Sequence, residues 1–126
     1  MKFDHAEAFV WDREAAVPWY GRVLGLKEVR RWDPPGPIMV GGPDGMIALF
    51  QAHRNGPDNS DDDRQPPIRW RRIAWRVEPH EFERAQQHLE ACGVPFEGPS
   101  DHGGPMSIYF SDPDGNPLEI TCYPER

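Results

Sequence analysis

Two separated stretches of the chain alternate apolar and polar residues, and each of them leads into a helical pattern. The first alternating stretch covers residues 3–10, and the helical pattern after it runs from 13 to 25. The second covers residues 72–77 and is followed by a helical pattern over 80–93. A period of two predicts a strand, and apolar spacings of three to four residues predict a helix. The same order in both halves indicates an internal repeat.

Further strands are predicted in each half, at 36–42 and 45–50 and again at 106–110 and 117–122. Turn sequences with Pro, Asp and Gly precede the last strand of both halves, which predicts hairpins. Asp12 is a candidate N-cap of the first helix, and Pro18 predicts that this helix is kinked or begins late. Each half is therefore expected to be a strand, a helix and then short strands.

These patterns divide the single domain into a first module over about 1–52 and a second over about 68–126. Residues 53–67 are rich in Asn, Asp, Pro and Gly and are interpreted as a solvated linker. Its contiguous acidic residues, Asp61 to Asp63, lack the alternating spacing of a calcium-binding loop.

The predicted strands have one apolar face and one face with unusual chemistry. In the first strand Ala6, Ala8 and Val10 share the apolar face. The opposite faces of the strands carry ionisable, hydrogen-bonding and aromatic groups: His5, Glu7, Phe9, Arg72, Arg76, Tyr109, Glu119 and Tyr123. Such a density of polar groups is not needed on an outer sheet surface, so these residues are predicted to line a concave polar cavity.

Composition narrows the function classes. The 126 residues carry 21 acidic and 14 basic side chains, a net charge of -7, which disfavours nucleic acid and anionic membrane surfaces as partners. No run approaches the roughly 20 apolar residues of a membrane span, and the first residues lack a signal pattern, so a cytoplasmic protein is expected. Cys92 and Cys122 show no paired spacing and are interpreted as unpaired, small apolar residues.

Two segments carry a family resemblance. The first runs from residue 3 to Leu26 and includes Trp19-Tyr20 and Val23-Leu24-Gly25-Leu26; the second is the ending over 108–120, with Asp114-Gly115-Asn116 at its turn. Together they resemble the vicinal oxygen chelate superfamily, which includes glyoxalase I, extradiol dioxygenases and bleomycin-resistance proteins. The resemblance implies an α+β fold of two βαβββ modules that form a curved, mostly antiparallel sheet around a concave cavity, with the helices on the outer face. It also implies a homodimer.

The resemblance further implies a divalent metal and assigns roles to individual residues. Its metal ligands correspond to His5 and Glu119, and Tyr109 corresponds to a tyrosine beside the substrate, so these three are the candidate catalytic residues. A histidine ligand of the second module falls on Arg72, and a carboxylate ligand of glyoxalase I falls on Ala48 or Leu49. A guanidinium is permanently protonated and cannot coordinate a metal.

The remaining donors favour a degenerate metal site. Zinc, iron and manganese require three or more protein donors, and His53 and His102 are interpreted as ordinary surface histidines. The leading hypothesis is that the Arg72 guanidinium replaces the metal and pairs with Glu119. No cofactor is then expected, although a divalent metal stays open. His5 and Glu119 also have purely structural interpretations. His5 is then a hydrogen-bond partner of Glu7, Glu119 or the neighbourhood of Arg72, and Glu119 is an ion-pair partner of Arg72 or Arg76.

Three function classes remain open. The first is a metal-dependent lyase, isomerase or dioxygenase that uses His5 and Glu119 with a non-standard third donor. The second is a metal-free protein that binds a small molecule, with Glu7, Phe9, Arg72, Arg76 and Tyr123 as contacts. The third is a metal-independent enzyme in which Arg72 or Arg76 holds a substrate carboxylate or carbonyl and His5 or Glu7 acts as base. Arg72 and Ala48 disfavour glyoxalase I and extradiol dioxygenase activity.

Overall fold

The computed structural model describes residues 3–52 and 71–124. The chain forms two compact units, Met1–Pro67 and Ile68–Arg126. The predicted linker over 53–67, with its acidic run and His53, lies outside the described residues, so its assignment stays a prediction. Among the described residues, none of the helices combines the length and the apolarity that crossing a membrane requires.

The first unit has a strand, a helix and three further strands. These are β1 (His5–Val10), α1 (Arg13–Leu24), β2 (Lys27–Arg31), β3 (Ile38–Gly42) and β4 (Gly45–Gln51). The sheet order is β1-β4-β3-β2. Strand β1 runs parallel to β4, and the other two pairs are antiparallel.

The second unit repeats this order. Its elements are β5 (Ile73–Arg76), a short 3₁₀ turn (Pro79–Glu81), α2 (Phe82–Ala91), β6 (Glu97–Asp101), β7 (Met106–Ser111) and β8 (Pro117–Cys122). The sheet order is β5-β8-β7-β6, with β5 parallel to β8 and two antiparallel pairs. The prediction of an α+β fold built from two βαβββ modules with mostly antiparallel strands is confirmed.

Local signals explain why α1 has these bounds. The Asp12 side chain accepts hydrogen bonds from the backbone N–H groups of Glu14 and Ala15, at 3.0 and 3.2 Å, which satisfies donors that the first turn leaves free. Gly25 ends the helix at φ 71°, a left-handed conformation in which a Cβ would be strained. Pro18 lies inside the helix, which begins at Arg13, so of the two expected effects the late start is wrong and the kink stays a prediction.

Each helix packs on its own sheet and buries apolar side chains. In the first unit the buried set includes Trp19, Tyr20, Val23, Ile38, Val40, Ile47 and Leu49, and in the second Phe82, Leu89, Ile108, Phe110, Leu118 and Ile120. The buried residues of β7 and β8 recur with period two, apart from Ser107. Alternation in the sequence therefore identifies the apolar face of this sheet, and by exclusion its polar face.

The sequence pattern does not predict the bounds of β2 and β6. Every residue of β2 is exposed, and β6 has only Ser100 partly buried. Both lie at a sheet edge, where a strand is held by backbone hydrogen bonds on one side and needs no alternating apolar pattern. Hydrophobic periodicity therefore contains no signal for them.

The turn between β7 and β8 is held by one buried carboxylate. Asp112 is 4% exposed, and its side chain accepts hydrogen bonds from the backbone N–H groups of Asp114 and Asn116 and from the Asn116 side-chain amide, at 2.8–2.9 Å. These bonds close the hairpin that sets Tyr109 opposite Glu119. The turn thus determines the register of the polar face.

We expect Asp112→Ala to lower the free energy of unfolding by about 2 to 3 kcal/mol, because buried backbone donors lose their acceptor. Urea denaturation followed by circular dichroism measures this change. The control is Asp44→Ala, at an exposed position in the corresponding turn of the first unit, which should change stability by less than about 0.5 kcal/mol. Equal effects of the two substitutions would contradict this role of Asp112.

Candidate functional site

Four residues form a row across the sheet of the second unit. Ala74 on β5 lies opposite Glu119 on β8, Glu119 opposite Tyr109 on β7, and Tyr109 opposite Glu97 on β6. Residues in register on neighbouring strands share a face, so Glu119, Tyr109 and Glu97 project to the same side. Arg72 is two residues before Ala74 and follows the same alternation.

Tyr109 is contacted by the side chains of Arg72 and His102. The Arg72 guanidinium carbon lies 4.4 Å from the centre of the Tyr109 ring, a distance typical of a cation–π interaction. A hydrogen bond of 2.5 Å joins His102 Nε2 to the Tyr109 hydroxyl. The ring therefore supports a guanidinium on its face, while its hydroxyl is oriented by an imidazole.

Glu119 is held from the opposite strand. The hydroxyl of Ser107, which is 1% exposed, donates to Glu119 Oε2 at 2.8 Å and lies 3.0 Å from the Thr121 hydroxyl. Thr121 in turn donates to the Met106 carbonyl oxygen at 3.0 Å. The hydrogen bond from Ser107 restrains the half-buried Glu119 carboxylate before any ligand binds.

A cavity of about 560 Å³ lies within the second unit, in the size range of small-molecule sites. It is lined by Arg71, Arg72, Glu97, His102, Tyr109 and Glu119. Three of these residues, Arg72, Tyr109 and Glu119, come from the site that the sequence predicts. The predicted polar cavity thus has a counterpart formed by the second unit's own side chains.

The structure changes two expectations about this cavity. The predicted ion pair between Arg72 and Glu119 is not among the ion pairs of the described residues, because Arg72 stacks on Tyr109 and Glu119 is bonded to Ser107. His102, interpreted as an ordinary surface histidine, is exposed but bonds Tyr109. It belongs to the loop before β7, so strand alternation contains no signal for it.

Sequence reasoning also missed Arg71 and Glu97. Arg71 precedes the predicted second-module strand, and Glu97 belongs to the edge strand β6, which has no apolar pattern. Its register opposite Tyr109 crosses a β-bulge, which shifts residue pairing in a way that spacing along the chain does not reveal.

Two other predicted contacts, Arg76 and Tyr123, lie beside each other at the far end of β5 and β8. The Arg76 guanidinium carbon is 5.2 Å from the centre of the Tyr123 ring, and Tyr123 is 37% exposed. Neither residue is among those that line the cavity. Their role in ligand binding stays a prediction.

In the first unit, His5 lies between two carboxylates. Its Nδ1 is 2.6 Å from Asp4 Oδ2, and its Nε2 is 3.2 Å from Glu7 Oε2. The hydrogen bond to Asp4, and then that to Glu7, raises the pKa of His5 above its ordinary value, because both carboxylates favour the imidazolium. Phe9 on the same strand is 62% exposed and contacts Phe50, with ring centres 6.1 Å apart.

The donors of the second unit do not fit a divalent metal as they are arranged. At the position of a histidine ligand the cavity has the Arg72 guanidinium, which has no lone pair to donate, and one Glu119 oxygen is already engaged by Ser107. Within residues 3–52 and 71–124 no group of three or more His, Cys, Asp and Glu side chains is placed to hold an ion. Ala48 and Leu49, at the carboxylate-ligand position, are buried apolar residues of β4.

Comparisons with known proteins relate nearly the whole chain to one family. The family model of the Glyoxalase/Bleomycin resistance protein/Dioxygenase superfamily matches residues 2–120. The chain is 27% identical to "Glutathione transferase FosA" from Serratia marcescens over 120 residues, which are 95% of this chain and 79% of that protein.

Solved structures show the same fold. A glyoxalase/dioxygenase from Nostoc punctiforme is 27% identical, with a TM-score of 0.68 over 96% of this chain and 90% of that one. The fosfomycin resistance protein FosX from Listeria monocytogenes, 16% identical, has a TM-score of 0.72 over 95% of this chain and 87% of that one. At that identity the likeness concerns the fold alone.

We expect His5 to titrate above 6.5 in the folded protein, because carboxylates bond both of its ring nitrogens. Nuclear magnetic resonance of the imidazole resonances against pH measures this pKa. Asp4→Asn should lower it more than Glu7→Gln, since the Asp4 hydrogen bond is the larger cause.

The raised pKa of His5 also predicts how the stability of the protein changes with pH. A pKa raised by folding contributes stability that is fully present below the unfolded value and is lost as the pH rises through the folded value. The His5 resonance in urea-unfolded protein supplies the reference. A folded pKa at or below that reference would contradict the carboxylate contacts.

Proposed function

Because the chain belongs to the Glyoxalase/Bleomycin resistance protein/Dioxygenase superfamily, we propose that it binds a small anionic molecule in the cavity of its second unit. Arg72 supplies the positive charge at the position where the resemblance implies a metal ligand. The bound group is a carboxylate, phosphonate or phosphate, since these present two oxygens to the planar fork of a guanidinium.

The observation that carries this proposal is the unpaired state of Arg72. Among the described residues, the buried Nε of Arg72 has no hydrogen-bond partner and its guanidinium has no ion pair. A buried donor without an acceptor costs about 1 to 3 kcal/mol. Arg72 also lines the cavity, so an anionic ligand there can accept hydrogen bonds from the guanidinium N–H groups that remain accessible.

Tyr109 and His102 support the same interpretation. The ring of Tyr109 restrains the Arg72 side chain, which lowers the conformational entropy that binding would otherwise cost. Its hydroxyl, bonded to His102, provides a second polar contact at the cavity wall. One positive group and one oriented hydroxyl suit a ligand with an anionic end and a neighbouring polar atom.

The relatives direct the choice of ligands. One structural neighbour is described as a fosfomycin resistance protein, and one relative as a glutathione transferase. Fosfomycin, a phosphonate, therefore belongs in a ligand panel beside simple carboxylates. The homodimer and the cytoplasmic location expected from the sequence stay predictions, as does a metal-independent reaction with His5 or Glu7 as base.

A second candidate function is a metal-dependent enzyme of the lyase, isomerase or dioxygenase type. The likeness to a glutathione transferase over nearly the whole chain favours an enzyme, without indicating a metal. It would use His5 and Glu119 with a non-standard third donor. The Arg72 guanidinium opposes it, since a fixed positive charge near Glu119 repels a cation.

We expect protein purified without chelator to contain far less than one equivalent of zinc, iron, manganese or nickel. The reason is that the Arg72 guanidinium replaces a donor. Inductively coupled plasma mass spectrometry measures the content. The matched variant is Arg72→His, which restores a donor and should raise it. Stoichiometric metal in the unaltered protein would favour the enzyme of the second candidate.

We expect at least one of 3-phenylpropanoate, fosfomycin and inorganic phosphate to raise the melting temperature of the unaltered protein. Arg72→Gln should weaken binding of that ligand by roughly 10- to 100-fold, because a charge-assisted hydrogen-bond pair is lost. Isothermal titration calorimetry gives the affinities. The control is Arg84→Gln on the exposed side of α2, which removes the same charge away from the cavity. Equal losses in both variants would contradict a specific role of Arg72.

A further inference from the structure

The cavity of the second unit presents charges of both signs, and we propose that it recognises a zwitterion. The ligand class is a molecule with a carboxylate and an ammonium group on neighbouring atoms, as in an α-amino acid. This inference rests on the proposed function, because it takes Arg72 as the group that binds the carboxylate. It adds Glu119 as the group that binds the ammonium.

The first argument is the charge pattern of the lining. Two guanidinium groups, Arg71 and Arg72, and two carboxylates, Glu97 and Glu119, line the same cavity. Across the part of the chain that the structure describes, no ion pair joins any of them. Because these two positive and two negative groups do not neutralise one another, a ligand in the cavity can meet a cation and an anion.

Charged residues on the surface of the first unit do form ion pairs, in contrast to those of the cavity. Arg31 pairs with Glu14 at 3.0 Å and with Glu28 at 2.7 Å, although all three side chains are largely exposed and gain little from pairing. The half-buried Arg72 and Glu119 would gain more, because the dielectric constant is lower there. Their separation is instead maintained by other partners, Tyr109 and Ser107.

The second argument is that a hydrogen bond already holds the Glu119 carboxylate in place. Its Oε2 accepts a hydrogen bond from the buried Ser107 hydroxyl, which restrains the carboxylate. Its Oε1 has no hydrogen bond among the described residues. A restrained carboxylate with one oxygen still available can accept an ammonium without losing further side-chain entropy.

The third argument is the spacing of the two charges. Glu119 on β8 and Tyr109 on β7 are paired across neighbouring strands, which lie about 4.8 Å apart. The Arg72 guanidinium lies over the Tyr109 ring. It therefore lies over the residue that is paired with Glu119 on the next strand. An α-amino acid has its two charges on adjacent groups, so it suits two opposite charges held over neighbouring strands of one sheet face. Glu97 lies on the other side of Tyr109 on an exposed edge strand, where solvent screens its charge more strongly.

The test uses three probes that share a phenylethyl group. L-Phenylalanine has both charges, 3-phenylpropanoate lacks the ammonium, and 2-phenylethylamine lacks the carboxylate. Isothermal titration calorimetry on the full chain should show L-phenylalanine binding about tenfold more tightly than 3-phenylpropanoate, because of the added charge-assisted hydrogen bond. 2-Phenylethylamine should bind most weakly.

Substitutions in the cavity test which carboxylate binds the ammonium group. Glu119→Gln should remove the preference for L-phenylalanine over 3-phenylpropanoate while the affinity for 3-phenylpropanoate stays the same or rises. Glu97→Gln makes the same charge change in the same cavity and should reduce the preference by much less. Ser107→Ala leaves the Glu119 charge in place without its restraint, and an intermediate loss of preference is expected. Near-ultraviolet circular dichroism checks that each variant is folded.

The outcomes separate this inference from the proposed function. If 3-phenylpropanoate binds through Arg72 and L-phenylalanine binds no more tightly, the proposed function stands and the zwitterion proposal is wrong. If the preference survives in both Glu119→Gln and Ser107→Ala, the assignment of the ammonium to Glu119 is overturned. If neither carboxylate binds, or if Arg72→Gln changes neither affinity, both proposals fail for this ligand class.

Discussion

The contact between the Arg72 guanidinium and the Tyr109 ring is the interaction on which the candidate site depends. It places a permanent positive charge in the cavity, 4.4 Å above the ring centre, at a position where the family resemblance implies a metal-binding histidine. A guanidinium cannot donate a lone pair, and it presents several N–H groups in one plane. These properties favour hydrogen bonding of an anion over coordination of a cation at this position, which is the basis of the proposed function.

The hairpin of β7 and β8 makes this contact possible. The buried Asp112 closes the turn, and the resulting register sets Tyr109 opposite Glu119 and Ser107 opposite Thr121. Ser107 of the second pair supplies the hydroxyl that restrains Glu119. A single register thus separates the Glu119 carboxylate from the Arg72 guanidinium and provides each with a different partner, which is why both charges stay available.

Much of the fold and part of the site could be predicted from the sequence. Helix ends, hairpin turns and the polar faces of the apolar-patterned strands depend on short-range rules, and Tyr109 and Glu119 were found in this way. The edge strand β6 has no apolar alternation, so Glu97 could not be assigned to the cavity. His102 lies in a loop, and its hydrogen bond to Tyr109 depends on the path of that loop, which no residue pattern specifies.

The sequence by itself determined the order of elements, the repeat and the face of each patterned strand, because period and capping act over a few residues. Only the tertiary structure decided which side chains meet. Arg72 reaches Tyr109 and leaves Glu119 to Ser107, although an ion pair was the simpler expectation. Long side chains have several partners of comparable energy within reach, and strand register together with packing selects among them.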